Sequence, residues 1–111
     1  MDEVVFLYVT APDEDTAARI AEALIEARAA ACVNILPRIR SVYRWNGAVE
    51  RGEEAAMIVK TTAGRSCEAR AVVERPHPYA TPAIAALSID SEKSGEKFVK
   101  WIEAEVLETL S

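Results

Sequence analysis

Six side chains carry most of the chemistry this 111-residue chain can offer: Cys32, Tyr43, Trp45, Lys60, His77 and Tyr79. A thiolate and an imidazole both suit a soft or borderline transition metal, so Cys32 and His77 are the candidate metal ligands. Each also has a plainer reading. A free cysteine on a strand is usually a small buried hydrophobe. A single histidine supplies one donor where most metal sites need three or four. His77 is the only histidine in the chain and stands between Pro76 and Pro78, so a residue fixed in a stiff loop is the alternative to a ligand. Tyr43 and Trp45 can stack a flat ligand or plug a neighbouring subunit. The interface reading is favoured, because aromatic side chains dominate protein contacts. Lys60 can hold an anion or meet an acidic group at a subunit boundary, and Tyr79 can donate a hydrogen bond there. Catalysis finds little footing: there is no Gly-x-Ser-x-Gly elbow, P-loop or His-Glu-x-x-His. A Cys32–His77 nucleophile and base would need an exposed, acidic thiol, and a core-like strand is a poor place for one. The expectation is a protein that is not an enzyme and uses no organic cofactor.

The elements that must position these residues follow from the spacing of apolar residues. Val4–Val9 is a β-branched and aromatic run, the pattern of a strand covered on both faces. Pro12, Asp13, Glu14 and Asp15 suit a helix start, where free N–H groups favour negative charge. Ala17, Ile20, Ala21, Leu24 and Arg28 recur at helical spacing, which predicts a helix to about Ala30. Ala31–Trp45 and Ala48–Thr62 read as two long strands joined at Asn46-Gly47, the strongest short-range signal for a two-residue turn. That turn sets Arg40 opposite Glu53 and Tyr43 opposite Glu50, with Ile39, Ser41, Tyr43 and Trp45 on one face and Arg40, Val42 and Arg44 on the other. Pro37 cannot donate to a ladder and marks an edge, bulge or break. Gly64 to Arg75 predicts a second helix ended by Pro76. Ile84–Ile89 predicts a fourth strand. A last helix is expected to be capped by Ser91 or Ser94, with Phe98, Ile102, Val106 and Leu110 on its apolar stripe.

The order β-α-β-β-α-β with an added C-terminal helix specifies an α+β, ferredoxin-like sandwich in one domain spanning residues 1–111. The hairpin is its unusual part. Fifteen residues of strand reach roughly 50 Å at ~3.3 Å per residue, whereas a domain of this length has a radius of gyration near ~13 Å. The arm overhangs its own domain, and Tyr43 and Trp45 on it need another surface to cover them.

Half of the residues are hydrophobic and 28% are charged, a globular balance, and the net charge is −5. An acidic chain without a Lys/Arg run lacks the footprint of a nucleic-acid binder. The two cysteines form no Cys-x-x-Cys pair, which suits reduced, structural thiols. The acidic opening Met1-Asp2-Glu3 and the short apolar run after it do not resemble a secretory signal or a membrane span. A soluble, cytoplasmic protein with no membrane partner is expected.

Ala30-Ala31-Cys32-Val33-Asn34-Ile35, Ser41-Val42-Tyr43, Trp45, Gly47, Glu54, Lys60-Thr61 and His77-Pro78-Tyr79-x-Thr81-Pro82 together resemble the CutA family of divalent-cation tolerance proteins, in order from about Thr10 to Trp101. The resemblance implies a ferredoxin-like fold similar to that of the nitrogen-regulatory signal proteins. It implies a homotrimer whose long hairpins pair between subunits, and a link to copper tolerance and divalent-metal binding without an established reaction. In such a trimer His77 can share a site with Cys32, or with Glu54 or Asp90 of another chain, and Cu(II) is the metal the resemblance favours. A trimeric sensor of small molecules at clefts between subunits, or a non-catalytic scaffold, are the alternatives. Three positions depart from the family pattern: Ala83 replaces a common Glu, Ser88 a usual Pro and Ala29 a usual Leu. The first removes a carboxylate beside the His77 loop.

Overall fold

The computed structural model describes residues 2–107. Strands β1 (Val4–Ala11), β2 (Cys32–Trp45), β3 (Ala48–Thr62) and β4 (Ile84–Ser88) alternate with helices α1 (Glu14–Glu26), α2 (Ala63–Glu74) and α3 (Glu96–Glu105) in the order β1-α1-β2-β3-α2-β4-α3. The strands form one sheet in the order β2-β3-β1-β4, and every neighbouring pair is antiparallel.

The period-2 alternation of β1 and β3 divides this sheet into two unlike faces. Val5, Leu7, Val9 and Ala11 meet Ala55, Met57 and Val59 in the main core, closed by Ala17, Ile20 and Leu24 of α1 and Ala69, Val72 and Val73 of α2. The opposite face carries Phe6, Tyr8 and Thr10 of β1 against Lys60, Ile58 and Ala56 of β3. One end of that face is covered by α3, where Val4, Val99 and Ile102 bury one another against Phe6, Ala31 and Ile89. Tyr8, Leu36 and Leu87 elsewhere on it stay exposed. So β1 is not covered along its whole length: Tyr8 shows where the second face lacks a partner.

The hairpin register is the one the turn predicts, with Arg40 opposite Glu53 and Tyr43 opposite Glu50. Asn46 and Gly47 adopt φ of 50° and 81°, the two positive angles that a type I′ turn requires. The register slips between Leu36 and Ile39, at Pro37, where a ladder donor is missing. The arm does project: every residue from 42 to 53 is exposed. The molecule measures 47 × 32 × 22 Å, with a radius of gyration of 14.8 Å.

Two helix boundaries and one apolar stripe differ from expectation. Helix α1 stops at Glu26 rather than near Ala30. Arg28 N donates to Ile25 O at 3.1 Å and Ala29 N to Leu24 O at 3.0 Å, with Arg28 at φ 54°. This is the left-handed closure usually given to glycine. It turns the chain so that Ala29 and Ala30 are buried, and Arg28 reaches across to donate to Glu105 O at 3.1 Å. Helix α3 is capped by neither Ser91 nor Ser94; its N-cap is Gly95. Ser94 Oγ instead donates to Asp90 O, and Asp90 Oδ1 accepts from the N–H groups of Glu92 and Lys93, so the local turn consumes the capping groups. The buried stripe of α3 is Val99 and Ile102, continued by the buried C-cap Val106, while Phe98 is exposed. Leu110 lies outside the described residues.

Candidate functional site

At the root of the hairpin, β3 and the segment 77–83 build a hydrogen-bonded cluster on the sheet face turned away from α1 and α2. Glu54 lies opposite Ile39, the first residue paired after the bulge. The hydroxyl of Tyr79 donates to Glu54 Oε1 at 2.7 Å, and the Ser41 hydroxyl donates to Oε2. Burial, reinforced by the Glu54 carboxylate, pushes the Tyr79 phenol well above its usual pKa. The phenol is therefore a standing donor at any physiological pH.

His77 clamps the same loop from the other side. Its Nε2 donates to Thr10 O at 2.7 Å, and its Nδ1 accepts from Tyr79 N at 3.2 Å. The ring is buried and lies 4.9 Å from the Tyr79 ring, centroid to centroid. A neutral imidazole offers one donor and one acceptor, and both are used here. Within one protomer both ring nitrogens of His77 are thus engaged, one by β1 and one by its own loop.

Cys32 is half-buried and opposite Lys60, which is opposite Phe6. It lies on the second sheet face, four residues along the ladder from the level of Thr10 and two strands across. At ordinary strand spacings that is roughly 13 Å in one direction and ~10 Å in the other. The protomer does not bring Cys32 and His77 together. Among the described residues, no group of three or more His, Cys, Asp and Glu side chains is placed to hold a metal ion.

Lys60 is held within the chain. Its Nζ lies 5.5 Å from the Phe6 ring centroid and 5.3 Å from that of Phe98, which stacks at 6.3 Å on Trp101. Such a sandwich places a cation between the faces of two aromatic rings. Tyr43 and Trp45 are 49% and 52% exposed. Together with Tyr79, Glu54 and Ala83 they line an open cleft of about 580 Å³. Ala83, where the resemblance leads to the expectation of a glutamate, thus faces the cleft. The Tyr79–Glu54 bond joins residues far apart in sequence, and no periodicity announces it. Its only sequence signal is that both residues fall within the motif set.

This fold and hairpin are shared with known proteins. The family model for the CutA1 divalent ion tolerance protein matches residues 5–105. The chain belongs to the CutA1 family. A CutA divalent-cation tolerance protein of Archaeoglobus fulgidus is 45% identical over 91% of this chain and 96% of its own length. The corresponding protein of Thermus thermophilus is 41% identical, over 92% and 95%. Among solved structures, CutA1 of Oryza sativa superposes with a TM-score of 0.91 at 32% identity, covering 97% of each chain. The A. fulgidus CutA structure, described as a periplasmic divalent cation tolerance protein, gives 0.88 at 42% identity, covering 94% of this chain and 99% of its own.

Proposed function

We propose that this CutA1-family chain works as a cytoplasmic homotrimer in divalent-cation tolerance, binding a divalent metal, Cu(II) for preference, without catalysing a reaction. The observation that carries the trimer is the bare hairpin: residues 42 to 53 are exposed throughout, with Tyr43 and Trp45 among them. The second sheet face adds Tyr8, Leu36 and Leu87, and exposed Phe98 and Trp101 of α3 extend the apolar surface. Neighbouring copies would cover these groups, with Tyr43, Trp45, Lys60 and Tyr79 at or beside the contacts. The cytoplasmic reading rests on two unpaired thiols, Cys32 and Cys67. No nucleic-acid or membrane partner is proposed.

Metal binding is supported by the family and not by a ready cage in one protomer. Its donors would come from more than one subunit, with Cys32 as the soft donor and His77 joining only by giving up a loop contact. Titration of the purified protein with Cu(II) tests this. Saturable uptake is expected, weakened roughly tenfold or more by Cys32→Ser and by His77→Ala. Copper affinity unchanged in both variants removes the ligand assignment.

A further inference from the structure

We propose that the arginine-bearing face of the hairpin docks an extended acidic segment of a partner protein. The ribbon of β2 and β3 has two faces. Ser41, Tyr43 and Trp45 project from one, opposite Gly52, Glu50 and Ala48, and this is the face whose aromatics the proposed trimer buries. Arg40, Val42 and Arg44 project from the other, opposite Glu53, Arg51 and Val49. On β3 the arginine face continues the line of Val59, Met57 and Ala55 outward, past the helices that cover the main core. A copy seated on the aromatics therefore leaves the arginines turned away from it.

Arg51 lies diagonally between Arg40 and Arg44 across the strand pair, at ordinary diagonal spacings of about 7–8 Å. All three are exposed. The carboxylate of this face, Glu53, meets Arg38 at 3.7 Å. Arg40 and Arg51 make no ion pair among the described residues, and Arg44 has a 3.5 Å contact to Gly47 O of its own turn. Positive charge is thus concentrated on one patch of a chain whose net charge is −5. The planar forks of arginine pair carboxylates two bonds at a time. Shape and surroundings choose among the anions. A two-stranded ribbon is flat, so a small anion on it would stay in water rather than in a pocket. A nucleic acid would find no aromatic platform for its bases, since Tyr43 and Trp45 are on the other face. An extended peptide carries same-side residues about 6.7 Å apart, close to the arginine diagonal. Val42 and Val49, 67% and 47% exposed, lie among the guanidiniums and offer contact to the methylene stems of glutamates.

A dye-labelled peptide of four Glu-Thr repeats, and its Gln-Thr counterpart, are titrated with the full-length protein in its solution assembly and followed by fluorescence anisotropy. The glutamate peptide is expected to bind saturably at sub-millimolar protein in low salt and to weaken steeply as salt is raised, with the glutamine peptide not binding. Arg44→Gln with Arg51→Gln is expected to weaken binding roughly tenfold. Arg19→Gln with Arg70→Gln makes the same change of net charge on α1 and α2 and is expected to leave binding unchanged. The proposal is overturned by no binding of the glutamate peptide, as when a neighbouring copy's own carboxylates cover the face, or by equal loss in the two double variants. It is also overturned if inorganic triphosphate or an oligothymidylate binds this face at least as tightly as the peptide.

Discussion

Tyr79 and Glu54 tie the His77 loop to the hairpin through a single short bond. Tyr79→Phe removes it and should cost about 1 kcal/mol near neutral pH, read by chemical denaturation. The pH dependence has a definite sign. Burial first, and Glu54 second, raise the phenol in the folded chain. Its contribution is fully present below the unfolded tyrosine value of about 10 and is lost as pH rises above it. Tyr79→Phe should therefore lack part of the alkaline loss of stability seen in the parent protein; identical alkaline profiles would contradict the assignment. At this scale the sequence showed which residue types matter better than what they do. His77 and Tyr79 stand out in a proline-rich loop. The sequence does not reveal that His77 spends both nitrogens on Thr10 and Tyr79, because neither contact follows from local spacing.

Among the elements, the hairpin was the most legible. Asn46-Gly47 fixes the register locally, and every pair out to Ile39 opposite Glu54 follows from it. A Cβ at Gly47 would meet nothing within 4 Å, while its φ is 81°. Gly47→Ala should thus cost about 1 kcal/mol from backbone strain alone, and an unchanged midpoint in denaturant would argue for another turn. Helix ends were less legible, since their solutions come from distant residues. Neither α1 nor α3 has a basic residue in its last turn. Arg65 of α2 supplies charge to the first, donating to Ala27 O at 3.0 Å and Arg28 O at 3.3 Å, as Arg28 does to the last carbonyl of α3. Arg65→Met keeps much of the apolar stem and should destabilise by about 1 kcal/mol in a thermal or denaturant melt; no loss would show these contacts to be incidental.

The whole molecule is longer than a domain of its size needs to be, and the excess is the arm. Its reach was readable from strand length alone, and its exposure in the protomer follows. The second sheet face was legible only in part: the alternation of β1 gives its residues, whereas α3 covering only the Val4 end depends on packing. Burying Tyr43 and Trp45 between copies is the step from this shape to the proposed trimer. Trp45→Asp would put a charge into that contact and should shift the mass distribution towards single chains at micromolar protein, a shift of several kcal/mol in assembly being typical for a lost aromatic anchor, about 2 or more. The most direct measurement is the solution mass of the unaltered protein by light scattering on a sizing column. The account predicts three times the 12.1 kDa of one chain. A stable, monodisperse single chain at the same concentration would contradict it.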